Sequence, residues 1–111
     1  MRVRSEAQFE LVDRNEQATL VAALNNSEQL ARIHAIWGLG QIARDQADAA
    51  EPLLALLEDS DPEIRAQAAK VIGDAAYQAA LPALLANLQH DSARVRFFAT
   101  QALGRLGKGE A

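Results

Sequence analysis

The sequence predicts an all-α fold, a right-handed α-α superhelix of about three two-helix repeats preceded by an orphan helix. Three observations predict it. The 111-residue chain is 50% hydrophobic but only 5% aromatic, and its apolar content is mostly Ala and Leu, which favour helix and let helices approach closely. The apolar positions follow helical spacing. The chain also repeats itself: the segment from Leu53 laid over the segment from Leu84, at an offset of 31 residues, matches apolar with apolar at almost every interior position.

In that match Leu53, Leu54 and Leu57 fall on Leu84, Leu85 and Leu88, Ile64-Arg65 on Val95-Arg96, Ala68 on Ala99, and Ile72-Gly73 on Leu103-Gly104. An earlier copy lies upstream at an offset of 33, where Leu20, Val21 and Leu24 match Leu53, Leu54 and Leu57, and Arg32, Ala35 and Leu39-Gly40 match Arg65, Ala68 and Ile72-Gly73. The expected order is an orphan helix over 3–13, then repeats at about 15–45, 48–77 and 80–107, within one domain. The orphan helix places Ala7 and Leu11 where Ala68 and Ile72 stand, so the chain reads as starting within a repeat and as a piece of a longer array.

Each copy reads as helix A followed by helix B. In the second, Leu53, Leu54, Leu56 and Leu57 give helix A an apolar face, and Pro52 suits its first turn, where the missing N–H would be unpaired anyway. Ser60-Asp61-Pro62 marks the start of helix B with a side-chain oxygen for the free amides, as Ser27 and Asp91-Ser92 do in the neighbouring copies. Along helix B, Ile64, Ala68, Val71, Ile72 and Ala75 form one apolar face. Gly40, Gly73 and Gly104 recur at one repeat position, with Gly107 close behind. A mid-helix glycine costs about 1 kcal/mol relative to alanine, so two readings stand: close approach by a neighbouring helix, or a simple helix end.

The formal net charge is -4 and the pI about 5.1, with acids and bases interspersed. The basic stripe of a nucleic-acid binder is missing, and so is the basic amphipathic helix of a membrane-surface binder. No stretch approaches the length of a membrane span, and Met1-Arg2-Val3-Arg4-Ser5-Glu6 lacks the apolar core of a signal peptide. There are no cysteines, which removes disulfides, thiolate metal sites and a catalytic thiol from this stretch. The only histidines are His34 and His90; they lack the spacing of a helical metal site, and His90 beside Asp91 suits a solvated or capping role. Little here could assemble a catalytic centre, so the expectation is a non-catalytic scaffold or protein-interaction module that needs no cofactor.

The run Asp59-Ser60-Asp61-Pro62-Glu63-Ile64-Arg65-Ala66-Gln67-Ala68-Ala69-Lys70-Val71-Ile72-Gly73 resembles the short HEAT-like repeats first associated with phycobilisome lyases. That resemblance implies an arginine opening each helix B and bonding an acid of an inter-helix loop, a ladder of Arg32, Arg65 and Arg96 on Asp59, Asp61 or Asp91. The first copy departs from it, with Asn25-Asn26 where an acid is expected. By family analogy alone it also implies a bilin-lyase-like role. A narrower resemblance, in residues 31–44 with Val3 to Phe9, is to the HEAT segment of large exported membrane-bound dehydrogenase-type, haem-binding proteins of planctomycete-type bacteria. It implies a structural spacer in a longer protein, with neighbouring domains as partners.

The surface most suited to a partner is the outward row of the B helices. If Ile64, Ala68 and Ile72 face the core, then Glu63, Gln67, Lys70 and Asp74 share another face of that helix. The repeat offsets carry the row to Leu30, His34, Trp37 and Gln41 and to Arg94, Phe98, Gln101 and Arg105. In the resembled stacks the B helices line the concave side, and aromatic and arginine residues there are common binding hot spots. The competing reading packs Trp37 and Phe98 against neighbouring repeats and makes His34 a structural histidine. Leu103 and Leu106 belong to a repeat with no successor, so weak self-association through an uncapped end is also expected.

Overall fold

The computed structural model describes residues 16–110, with side chains through 107; the expected orphan helix at 3–13 lies outside them. Among the described residues five α-helices and two 3-10 segments follow one another: α1 through 16–23, α2 Gln29–Ala43, a 3-10 helix Ala47–Glu58, α3 Pro62–Asp74, a 3-10 turn Gln78–Ala80, α4 Leu81–Asn87 and α5 Ala93–Glu110. No strand occurs among the described residues. The B helices α2, α3 and α5 form one layer, with α3 packed against both of the others. The A segments form the second layer, and the short axis of 21 Å is two helix diameters.

One core runs between the layers. Leu53 and Leu57 from the A side meet Ile36, Leu39, Ile64 and Ile72 from the B side, all essentially without solvent contact. These are positions that periodicity assigns to the interior, and truncating one of the leucines to Ala would cost about 2–5 kcal/mol.

The second helix A departs from the expectation. It starts at Ala47, winds as a 3-10 helix and carries Pro52 in its interior, not in its first turn. In an α-helix the ring of Pro52 would clash with the carbonyl four residues back, and the tighter winding avoids that bond pattern while keeping Leu53 and Leu56 three apart on the buried side.

The starts of the B helices are solved in three ways. Asp61 accepts the Glu63 N–H at 2.9 Å with Pro62 at the first helical position, as expected. Ser92 accepts the Val95 N–H at 3.3 Å. Ser27 does not cap: Glu28 occupies that place without a side-chain cap, and Asn26 Oδ1 accepts the Glu28 N–H at 2.8 Å instead.

The glycines resolve between their two readings. A Cβ on Gly40 would lie 2.3 Å from Val71 Cγ1, and one on Gly73 would lie 2.7 Å from both the Cα and Cβ of Ala102. Both glycines let the next B helix come close. Gly104 sits inside α5 with nothing within 4 Å of such a Cβ. Gly38 serves α1 in the same way, since its Cβ would meet Leu20 Cδ2 at 2.9 Å.

Candidate interaction face on the B helices

The structure ties the expected outward row into a network across the three B helices. Trp37 Nε1 on α2 donates to Gln67 Oε1 on α3 at 2.8 Å, and Gln67 Nε2 donates to Glu63 at 2.7 Å. Glu63 in turn accepts from Arg94 on α5 at 2.7 and 3.1 Å. The Arg94 guanidinium lies 5.2 Å from the centre of the Phe98 ring, and Phe98 stands edge-on to Phe97. Farther along, Asp74 pairs with Lys70 at 3.3 Å and with Arg105 at 3.4 Å.

Burial sorts these residues. Gln67, placed by sequence on the partner surface, is only 8% exposed: it is a buried connector, satisfied on both ends of its amide. Helical spacing puts it on the outward face, but closing of α2 onto α3 covers it. Trp37 stays 48% exposed although its indole N–H is satisfied. His34 is exposed and tilts against the Trp37 ring at 5.7 Å between centroids, so it is not an interior histidine. Gln41 and Gln101 are exposed, and Phe98 is half-buried.

Between α2 and α3 the row opens into a cleft of about 240 Å³ lined by Trp37, Gly40, Gln41, Arg44, Lys70, Val71 and Asp74. Its floor is the Gly40–Val71 approach, its wall is the Trp37 ring, and its rim is cationic. Lys70 and Arg105 share the carboxylate of Asp74, and Arg44 has no ion pair among the described residues. A cationic rim on a chain of net charge -4 is a local inversion of sign that the interspersed sequence pattern does not reveal.

The arginine ladder lies on the other side of the B helices. Arg32 pairs with Asp59 and donates to the Leu24 carbonyl at 2.8 Å. Arg65 finds an amide: Nε and Nη2 donate to Asn87 Oδ1 at 3.1 and 2.9 Å, and Nη1 reaches the Asp59 carbonyl at 3.3 Å. Arg96 bonds the backbone carbonyls of His90 and Asp91 at 2.7 and 3.0 Å. Asp61 caps α3 and accepts from Gln29 at 2.8 Å, and the Asp91 side chain carries no rung.

Of the three expected rungs, one therefore has a carboxylate partner. Asn87 was the residue sequence reasoning missed, although the signal exists: at the 31-residue offset it stands on Leu56, a core position, where a polar residue requires an internal partner. Its amide N–H₂ also donates to the Ala83 carbonyl at 2.8 Å.

Burial raises the carboxyls of Asp59 and Glu63, but hydrogen bonds outweigh it. Arg32 and the Asp61 N–H hold Asp59 below its ordinary value of 3.8, with the Arg32 and Arg65 charges adding to the effect. Gln67 and Arg94 hold Glu63 below 4.5 against the opposing charge of Asp61.

Paired helices in register, glycine-lined approaches between successive B helices and one continuous core define an α-solenoid repeat protein. The chain belongs to the HEAT-repeat family: the model for HEAT repeats matches residues 50–111, and that for the PBS lyase HEAT-like repeat matches residues 31–59. It is similar to phycocyanobilin lyase subunit beta of Thermosynechococcus vestitus, 41% identical over 105 residues that make up 91% of this chain and 48% of the relative. The chain thus spans about half the length of that relative. HEAT repeats generally mediate protein interactions.

Proposed function

We propose that this chain is a non-catalytic protein-interaction module of a phycocyanobilin-lyase-type assembly, docking an acidic partner on the B-helix row. The observation that supports this best is Trp37, half exposed and held by Gln67 at the wall of a cleft lined by Arg44 and Lys70, with Arg105 paired to its Asp74. A fixed aromatic beside cations is the chemistry of a binding hot spot. The cleft favours a protein partner over an enclosed small molecule, because its 240 Å³ is below the roughly 300–1,000 Å³ of ligand pockets.

Capture from lysate with the intact chain and with the Trp37→Ala/Phe98→Ala double variant, both checked for unchanged helicity, tests the reading. Loss of a partner with the variant is expected; equal recovery by both overturns the row as the docking face. A partner held by the cationic rim should also be released as salt rises from 50 to roughly 500 mM.

The similarity to a phycocyanobilin lyase subunit favours a second reading, in which this chain itself contacts the bilin. Absorption titration with phycocyanobilin separates the two. A saturable shift at micromolar ligand that Trp37→Ala abolishes would replace the first reading with the second. The spacer role suggested by the dehydrogenase-type resemblance rests on residues 31–44, which overlap the stretch matched by the PBS lyase repeat, and on residues outside the described part of the chain.

A further inference from the structure

The cleft between α2 and α3 contains a carboxylate that the helix carrying it does not call for. Asp74 is the last residue of α3, the end at which the helix dipole disfavours an acid. It stands at the repeat position of Gln41 in the copy before and of Arg105 in the copy after, so the other two B helices carry no acid there. Cations hold it: Lys70 Nζ lies 3.3 Å from Oδ2 and Arg105 Nη1 3.4 Å from Oδ1, with the lysine and arginine side chains 46% and 52% exposed. Pairs so open to solvent contribute little net stability, so an outside ion can exchange with either member. Arg44 lines the same cleft and has no ion pair among the described residues. Three cations thus attend one carboxylate, beside the apolar surface of Trp37 and Val71.

We infer that Asp74 is a built-in counter-ion that an acidic peptide segment of the partner displaces from Lys70. The inference rests on the B-helix row being the docking face proposed above, and it names the groups that read the partner. The incoming carboxylate takes Lys70, whose flexible stem lets the ammonium turn from one acceptor to another, together with Arg44. Arg105 keeps Asp74 neutralised from α5, so the exchange strands no charge. An apolar side chain next to that carboxylate covers the Trp37 ring and the Val71 floor. Three cations against one carboxylate leave an excess of positive charge, which selects an acidic segment over a neutral or basic one. Competition from Asp74 weakens binding of a carboxylate alone, so a partner must also supply the apolar contact with Trp37.

Trp37 is the single tryptophan of the chain, so its fluorescence reads the cleft directly. Titration of the intact chain with an acetylated Glu-Leu-Glu-Leu-Glu amide should give a saturable change, and its Gln-Leu-Gln-Leu-Gln counterpart should give none. Asp74→Asn should tighten binding of the acidic peptide about threefold or more, and Arg44→Gln should weaken it by a similar factor. Glu58→Gln removes one negative charge outside the cleft and should leave the affinity unchanged. Circular dichroism is expected to show the same helicity in all three variants. Equal binding of the acidic peptide by the intact chain and Asp74→Asn, or no preference for it over the neutral peptide, would overturn the exchange. Equal tightening by Glu58→Gln would reduce the effect to net charge and overturn it too. If capture from lysate depends on Trp37 and Phe98 while Asp74→Asn changes neither capture nor peptide affinity, the row stands as the docking face and only the exchange fails.

Discussion

At the scale of single residues, one repeat position takes opposite substitutions. Gly73→Ala drives a Cβ into the backbone of α5 beside Ala102, and overpacking of this kind destabilises by roughly 1–3 kcal/mol. Gly104→Ala meets open space inside a helix and should stabilise the monomer by up to about 1 kcal/mol through helix propensity. Urea unfolding of the two variants checks the pair, and a common sign would contradict the assigned helix approaches. Ala76 offers a second contrast. It has φ of 55° and closes α3, with its N–H bonded to the Gly73 carbonyl and that of Tyr77 to the Ile72 carbonyl. This cap ordinarily employs glycine, so Ala76→Gly is expected to raise stability by about 0.5–1 kcal/mol.

At the scale of elements, the loops are held by arginines of the B helices, and the rung with most at stake joins Arg32 to Asp59. Their side chains retain only 19% and 17% of their exposure, so Asp59→Ala strands a mostly buried guanidinium and should cost about 2 kcal/mol by chemical unfolding. Asn87→Leu restores the residue type of the preceding copy but deprives Arg65 of its acceptor; it should destabilise despite the added apolar area.

Acid acts on the same contacts. Asp59 and Glu63 have folded pKa values below the ordinary 3.8 and 4.5, so in that range the unfolded chain binds more protons than the folded one. Their contribution is therefore complete above about pH 5 and falls away as pH drops through the depressed folded values. Melting temperatures measured from pH 7 to pH 3 should decline mainly below pH 5, and less steeply in Asp59→Asn.

At the scale of the whole molecule, the surface the stack offers is the side row of the B helices, which crosses all three repeats. Partner capture should depend on Trp37 and Phe98 and weaken with salt, and should be insensitive to Phe97→Ala. Neighbouring side chains thus report on different surfaces, since Phe98 turns toward Arg94 and Phe97 toward solvent.

The sequence by itself determined the two-helix period, the core leucines and isoleucines, the Asp61 cap and the set of residues sharing the outward row. These follow from spacing within one segment, where 3.6 residues per turn decides what lies on a common face. Only the tertiary structure decided that Gly73 is a contact and Gly104 an opening, that Gln67 is covered and Trp37 is not, and that Arg65 bonds Asn87. It also decided that the segment around Pro52 winds as a 3-10 helix. Those outcomes depend on distances between helices, which arise from how the whole stack closes. Identical repeat positions therefore acquire different roles according to whether another helix packs against them.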